Sequence, residues 1–151
     1  MVNTRRSILR LLDANANRAL EGVRVCEDIV RFHFEDEAQF RRLRALRHGI
    51  AQAVRALEIS PVDLAAARDS RADVGRKAPA ADIKTLEHLL LINLQRAKEA
   101  LRALEECSRL VNVRQTPAFQ RLRFRTYEIE RELLLKLASL RDRRRRRSRR
   151  T

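Results

Sequence analysis

The chain has 151 residues, enough for one domain around one core, and 44% of them are hydrophobic. Aromatics make up only 4%, there are three Gly and three Pro, and Ala, Leu, Arg and Glu dominate, which favours helices and argues against a sheet-built fold. Half of the formal net charge of +14 sits in residues 141–150, which hold eight Arg and one Asp. A run this dense repels itself, so residues 141–151 are expected to be a disordered tail whose contacts with RNA or acidic lipid lack specificity.

Ile8, Leu12, Ala19, Val23, Cys26 and Val30 recur at helical spacing and predict a first helix, capped by Asn3 or Thr4 and ending near Phe32. Cys26 and Cys107 form neither a CxxC pair nor a zinc spacing, and are expected to be buried thiols in a reducing cytosol. The opening apolar run breaks at Asp13 and Asn15, which does not suit a signal peptide, and no apolar run reaches membrane-spanning length. A cytoplasmic protein with no membrane partner is expected. Asp36 predicts the cap of a second helix carrying Phe40, Leu43, Leu46, Ile50 and Val54. Ser60-Pro61 marks a break, and "PVDLAAA" predicts a short helical turn. "RDSRADVGRKAPAAD" is the longest stretch without periodicity, and such stretches in compact domains are often functional. Asp82 predicts the cap of a third long helix with Leu86, Leu89, Leu90, Ala97, Leu101 and Leu104 on its apolar face. Thr116-Pro117 predicts the start of a fourth, through Leu122, Tyr127, Ile129, Leu133 and Leu137. The expectation is an all-α, antiparallel bundle of four long helices in one domain, residues 1–140.

One pattern occurs twice. Asn15, Arg18, Glu21, Arg24 and Glu27 follow at intervals of three, and Asn93, Arg96, Glu99, Arg102 and Glu105 repeat the frame 78 positions on. Leu12 matches Leu90, Ala19 matches Ala97, and Leu46-Arg47 is echoed by Leu122-Arg123. The bundle is therefore expected to be two pseudo-repeated αα-hairpins, about residues 4–58 and 82–138, with the irregular loop between them. Read plainly, the frame is a solvated ladder of ion pairs, each worth about 0.2–0.5 kcal/mol. Against that reading, Asn15 and Asn93 fall on the apolar stripes and need buried partners. Gly22 and Ala100 are small residues on the same stripes. A bundle interior lined by Arg18, Arg24, Arg96 and Arg102 suits an anionic ligand, because the guanidinium fork matches phosphate. On spacing alone, a ligand site and a structural network stand level.

"LDANANRALEGVRVCEDIVRF", "RDSRADVG", "NLQRAKEALRALEE" and "LRFRTYEIE", taken in order, resemble the small all-helical hydroxymethylpyrimidine-phosphate kinases. That family occurs alone or fused to the amino end of thiamine-phosphate synthase, and the likeness covers about residues 5–135. It implies ATP-dependent phosphorylation of hydroxymethylpyrimidine phosphate to the diphosphate, with Mg2+, in thiamine biosynthesis. It also implies a functional link to thiamine-phosphate synthase, no specific nucleic acid, and leaves a homo-oligomer open. By resemblance the catalytic arginines are Arg18, Arg24, Arg96 and Arg102. Substrate and nucleotide contacts fall to Asn15, Glu21, Glu27, Arg47, Gly75, Asn93, Glu99, Glu105, Arg123, Arg125 and Tyr127. Asp69 and Asp73 are the magnesium candidates, although Asp equally favours turns and caps. Leu20 stands where the family pattern has a basic residue, and Ala16 where it has a larger aliphatic. No GxxxxGK[ST] loop is present. His33, His48 and His88 are scattered and receive no role. The rival readings are a chorismate-mutase-like helical enzyme and a basic RNA-binding or scaffold protein; scarce aromatics count against single-strand stacking.

Overall fold

A computed structural model describes residues 3–77, 79–80 and 82–149. Four long helices and one short one account for the fold: α1 (Thr4–Phe32), α2 (Glu37–Arg55), α3 (Pro61–Ala67), α4 (Leu86–Val111) and α5 (Thr116–Ser148). No strand occurs among the described residues. The caps explain most boundaries. Asn3, Asp36 and Ser60 each accept a backbone N–H from the first turn of α1, α2 and α3. Two starts differ from the sequence reading. Thr85, not Asp82, caps α4 by accepting from the His88 N–H at 3.1 Å. Thr116 is the first residue of α5, after a 3-10 turn at Val113–Gln115, and its hydroxyl bonds the buried Ser108 hydroxyl at 2.8 Å.

α1 and α4 form the central pair, with α2 packed on α1 and α5 on α4. Cys26 lies against Leu90, and Gly22 against Asn93 and Ala97, so α1 and α4 run antiparallel. Most of the core is the set expected from periodicity: Leu12, Ala19, Val23 and Val30 of α1 meet Leu90, Ala97, Leu101 and Leu104 of α4, whereas Leu86 and Tyr127, expected on apolar faces, are exposed. The buried Cys26 thiol donates to the Leu90 carbonyl, and burial pushes its pKa far up, which leaves it an unreactive packing group. α5 continues through the Arg-rich segment to Ser148, where disorder was expected. Arg is a good helix former, and cations at a helix C-terminus complement its dipole, so the helix propagates past its last packed residues. Arg150 and Thr151, the end of that expected tail, lie outside the described residues.

Each long hairpin is locked by one buried fork. Glu27 on α1 is 1% exposed and accepts from both Nε and Nη2 of Arg47 on α2. Glu105 on α4 is 5% exposed and accepts from Nε and Nη2 of Arg123 on α5, at 2.7 and 3.3 Å. The bond to its Glu holds each guanidinium above its ordinary pKa. A buried carboxylate is tolerable only when paired this way. Arg47→Ala leaves Glu27 buried and unpaired, and should lower stability in urea denaturation by about 3 kcal/mol. Glu27→Leu combined with Arg47→Met should recover most of that loss.

The seam between α2 and α5 has a different character. Lys136 bonds Asp36, and Arg42 and Gln39 both bond Glu132. Partial burial pushes the Asp36 carboxyl up, but the Lys136 bond and the Gln39 N–H outweigh it and leave it below the usual range. Gln39 and Arg42 hold Glu132 below its usual range too. Carboxylates with depressed folded-state pKa stabilise above their unfolded pKa, and lose that contribution as pH falls through the folded value. Asp36→Asn should therefore lower stability at neutral pH, and urea denaturation at a series of pH values should show its deficit against the wild type shrinking as pH falls through the carboxylate range.

Candidate functional site

The repeated frame delivers its residues to two different places, for a reason of helical geometry. Spacing by three drifts around the helix by about 60° at each step. Asn15, Arg18 and Glu21 therefore border α4, whereas Arg24 turns to solvent and pairs with Asp28 at 3.3 Å. Glu27 then lies in the core. In α4 the same drift takes Arg102 to Glu105 and Glu106, at 3.1 and 2.9 Å. The expected ladder along α1 is not built.

Where the two frames face each other, a cavity of about 400 Å³ opens between α1 and α4. Asn15, Arg18, Glu21 and Gly22 line one side, and Asn93, Arg96, Glu99 and Ala100 the other, each 78 positions after its match. The small residues make this approach possible: a Cβ on Gly22 would sit 3.0 Å from the Asn93 carbonyl oxygen. The two Asn do not form a network. Each side-chain amide donates back along its own helix, Asn15 to the Leu11 carbonyl at 2.8 Å and Asn93 to the Leu89 carbonyl at 2.9 Å. Glu99 accepts from Gln95. Among the described residues Arg18 and Arg96 make no ion pair, in a chain where most other framed charges are paired. Glu21 and Glu99 share this lining, so it is formally neutral, but two guanidinium groups held outside any ion pair on the walls of one cavity are suited to phosphate.

A second cavity, of about 530 Å³, continues from the first and shares Asn15, Arg18 and Glu21 with it. Its other walls are Ser7, Arg10, Asp13 and Asn17 of α1, and Arg68, Asp69, Ser70 and Asp73 of the loop after α3. Both magnesium candidates are here, and both also shape the loop. Asp69 Oδ1 accepts from the Ala72 N–H at 3.2 Å, and Asp73 Oδ1 from the Gly75 N–H at 2.8 Å. Gly75 thus serves the turn and lines neither cavity. Among the described residues no group of three His, Cys, Asp or Glu is placed to hold a metal alone. Two carboxylates still fit Mg2+, which keeps several waters and takes its remaining ligands from phosphate.

The other expected contact residues lie elsewhere. Glu27, Glu105, Arg47 and Arg123 are consumed by the two forks. Tyr127 packs edge-on against Phe124 and beneath the Lys98 ammonium, which itself bonds Glu130. Arg125 borders a separate cleft between α2 and α5, with Gly49, Gln52 and Arg121. The fork missed by the sequence reading is Asp13 with Arg68. Asp13 is 8% exposed and accepts from Arg68 Nε and Nη2, at 2.8 Å each, which raises the Arg68 pKa. The available signal was an Asp on the buried stripe beside Leu12.

This arrangement defines an all-helical bundle with a polar, arginine-bearing cavity at the contact of two matched helices. Residues 10–132 match the family model described as the ThiD2 family, and the chain belongs to that family. The chain is 36% identical over 138 residues to a thiamine-phosphate synthase of Rhodopirellula baltica, covering 89% of this chain and 36% of that one. It is 38% identical over 131 residues to a thiamine-phosphate synthase of Synechocystis, covering 85% and 36%. A third such relative, of Thermosynechococcus vestitus, is 35% identical over 83% of this chain and 35% of its own. The chain thus spans little more than a third of the length of these relatives. No solved structure matches it. No helix among the described residues is long and apolar enough to cross a membrane.

Because Gly22 sets the separation of α1 and α4, Gly22→Val should cost about 1–3 kcal/mol by overpacking, although Gly is the poorer helix former. Urea denaturation measures this; a gain in stability would show that the α1–α4 contact yields freely.

Proposed function

We propose that this chain acts in thiamine biosynthesis as an ATP-dependent kinase, converting hydroxymethylpyrimidine phosphate to the diphosphate. The observation that carries the reading is the doubled cavity, with Arg18 and Arg96 at matched positions and without an ion pair among the described residues. A reaction between two phosphate-bearing molecules needs positive charge on both sides of the meeting point. Phosphoryl transfer is catalysed mainly by positioning and electrostatic stabilisation, which arginines on rigid helices supply. An oxygen of the monophosphate attacks the γ-phosphorus of ATP. The new P–O bond forms as the bond to the bridging oxygen breaks, and the electron pair leaves with ADP. The attacking phosphate is already ionised near neutral pH, with a second pKa of about 6, so no strong base is required.

In this reading Arg18 and Arg96 hold the two phosphates, and Asn15 and Asn93 border them. Asp69 and Asp73 are the residues that would hold magnesium, whose charge offsets that of the ATP phosphates. The buried forks of Arg47 and Arg123 are structural supports and touch neither substrate. The diphosphate product would pass to thiamine-phosphate synthase, in the cytoplasm.

ADP release from magnesium-ATP, with hydroxymethylpyrimidine phosphate or the free alcohol as acceptor, tests the reading. Release with the monophosphate is expected. Arg18→Ala and Arg96→Ala should each lower kcat/KM at least a hundredfold with helicity near wild type. Removal of residues 141–151 should leave the rate unchanged. No release from folded, magnesium-supplied protein would refute the assignment.

A further inference from the structure

The two ends of the joined cavities are chemically unlike, although the frames that build them match. The interval of 78 that pairs Asn15 with Asn93 and Arg18 with Arg96 pairs Asp13 with Leu91. Only the α1 end therefore carries the buried carboxylate that receives Arg68. Arg68 is the residue on which α3 ends, so its fork with Asp13 pins the start of the following loop to α1. Arg6 adds a weaker contact to Asp69 at 3.8 Å. From that anchor the loop sets Asp69, Ser70 and Asp73 as a wall facing Ser7, Arg10 and Asn17. The first cavity has no part of this loop; Asn93, Arg96, Glu99 and Ala100 form its α4 wall, opposite Asn15, Arg18, Glu21 and Gly22 of α1.

The charges sort the ligands. A bare polyphosphate beside Asp69 and Asp73 is repelled, whereas one carrying a divalent cation is attracted by the same carboxylates. Arg10 and Arg18 at this end supply the remaining positive charge. The α4 wall offers Arg96 with Glu99 and without the two loop Asp, a single cation that suits a single phosphate. The cavity under the loop is also the roomier, at about 530 Å³ against 400 Å³ for the one between α1 and α4.

We propose that the α1 end, under the loop, takes the nucleotide as its divalent-cation complex, that the α4 end takes the pyrimidine monophosphate, and that Arg68 and Asp13 are the positioning pair that makes the ends different. The proposal rests on the kinase reading above and goes beyond it by giving each substrate its half.

Direct calorimetric binding on the full chain tests it, with the non-hydrolysable analogue AMP-PNP plus magnesium and with hydroxymethylpyrimidine phosphate, each alone. Arg68→Ala should weaken AMP-PNP at least tenfold and leave the pyrimidine phosphate within twofold. Arg96→Ala should do the reverse. Asp13→Asn, which keeps the buried volume, is measured in parallel, so the comparison survives if Arg68→Ala folds poorly. Asp69→Asn with Asp73→Asn keeps both Oδ1 acceptors for the loop N–H groups and removes only charge. Magnesium should tighten wild-type AMP-PNP binding at least tenfold, and this variant by less than threefold. Arg68→Ala or Asp13→Asn affecting the pyrimidine phosphate alone, both ligands equally, or neither, overturns the assignment of ends. A wild-type chain that binds neither ligand overturns the kinase reading itself, and the assignment with it.

Discussion

Glu27 and Glu105 are buried carboxylates at matched positions of α1 and α4, and the arrangement of the bundle follows from what they require. Each must be met by a guanidinium from the neighbouring helix, which fixes α2 on α1 through Arg47 and α5 on α4 through Arg123. A directional two-bond fork specifies more than apolar packing does, because it sets rotation as well as distance. With Glu27 held inward beside Cys26, the rest of α1 has no rotational freedom. Gly22 must then face α4, and Arg18 and Asn15 must border the space beside it. The same holds for α4 with Ala100, Arg96 and Asn93. The forks thus consume two of the arginines that a charge count would offer to a ligand, and in doing so they aim two others.

The cavity exists because the central helices meet through small residues. Gly22, Ala19, Ala97 and Ala100 allow the backbones to approach, while the longer side chains on either side hold the surface open. Two guanidinium groups are then left outside any ion pair in one place, beside Glu21 and Glu99. Arg24 and Arg102 have acidic neighbours on their own helices, whereas Arg18 and Arg96 stand without an ion pair among the described residues. In the proposed kinase reading, a doubled frame suits a ligand pair that shares one chemical feature, a phosphate, and differs in the rest. The loop after α3 supplies the difference, being present at one end only and tied down by Arg68 to Asp13.

Much of the fold was legible in the sequence, because helical periodicity and side-chain caps are local. Asn3, Asp36 and Ser60 each announce a helix start within four residues of themselves. Asp82 misled, since "DIKTL" offers two capping residues, and the apolar stripe beginning at Leu86 favours Thr85. The Arg run was read from charge alone, which overlooks that a helix already formed through Leu137 extends without a new nucleus. The site was legible in part. Asn15, Arg18, Glu21 and their matches could be found because repetition marks them. Their separation from Arg24, Glu27, Arg102 and Glu105 could not, because a spacing of three looks continuous in sequence and turns a corner on the helix. Arg47 and Arg123 were recognised as important but given to the ligand; their carboxylates are 20 and 18 residues away, beyond any local rule. Asp13 with Arg68, 55 residues apart, left no local trace beyond a charge on an apolar stripe.

The central claim is that one cavity between α1 and α4 receives two phosphate groups at once. A crystal structure of the chain soaked with ADP and hydroxymethylpyrimidine diphosphate tests it most directly. The account predicts both ligands in the joined cavities, with one phosphate within hydrogen-bond reach of Arg18 and the other of Arg96. Density for either ligand only in the cleft of Arg121 and Arg125, with the α1–α4 cavity filled by water, would contradict it.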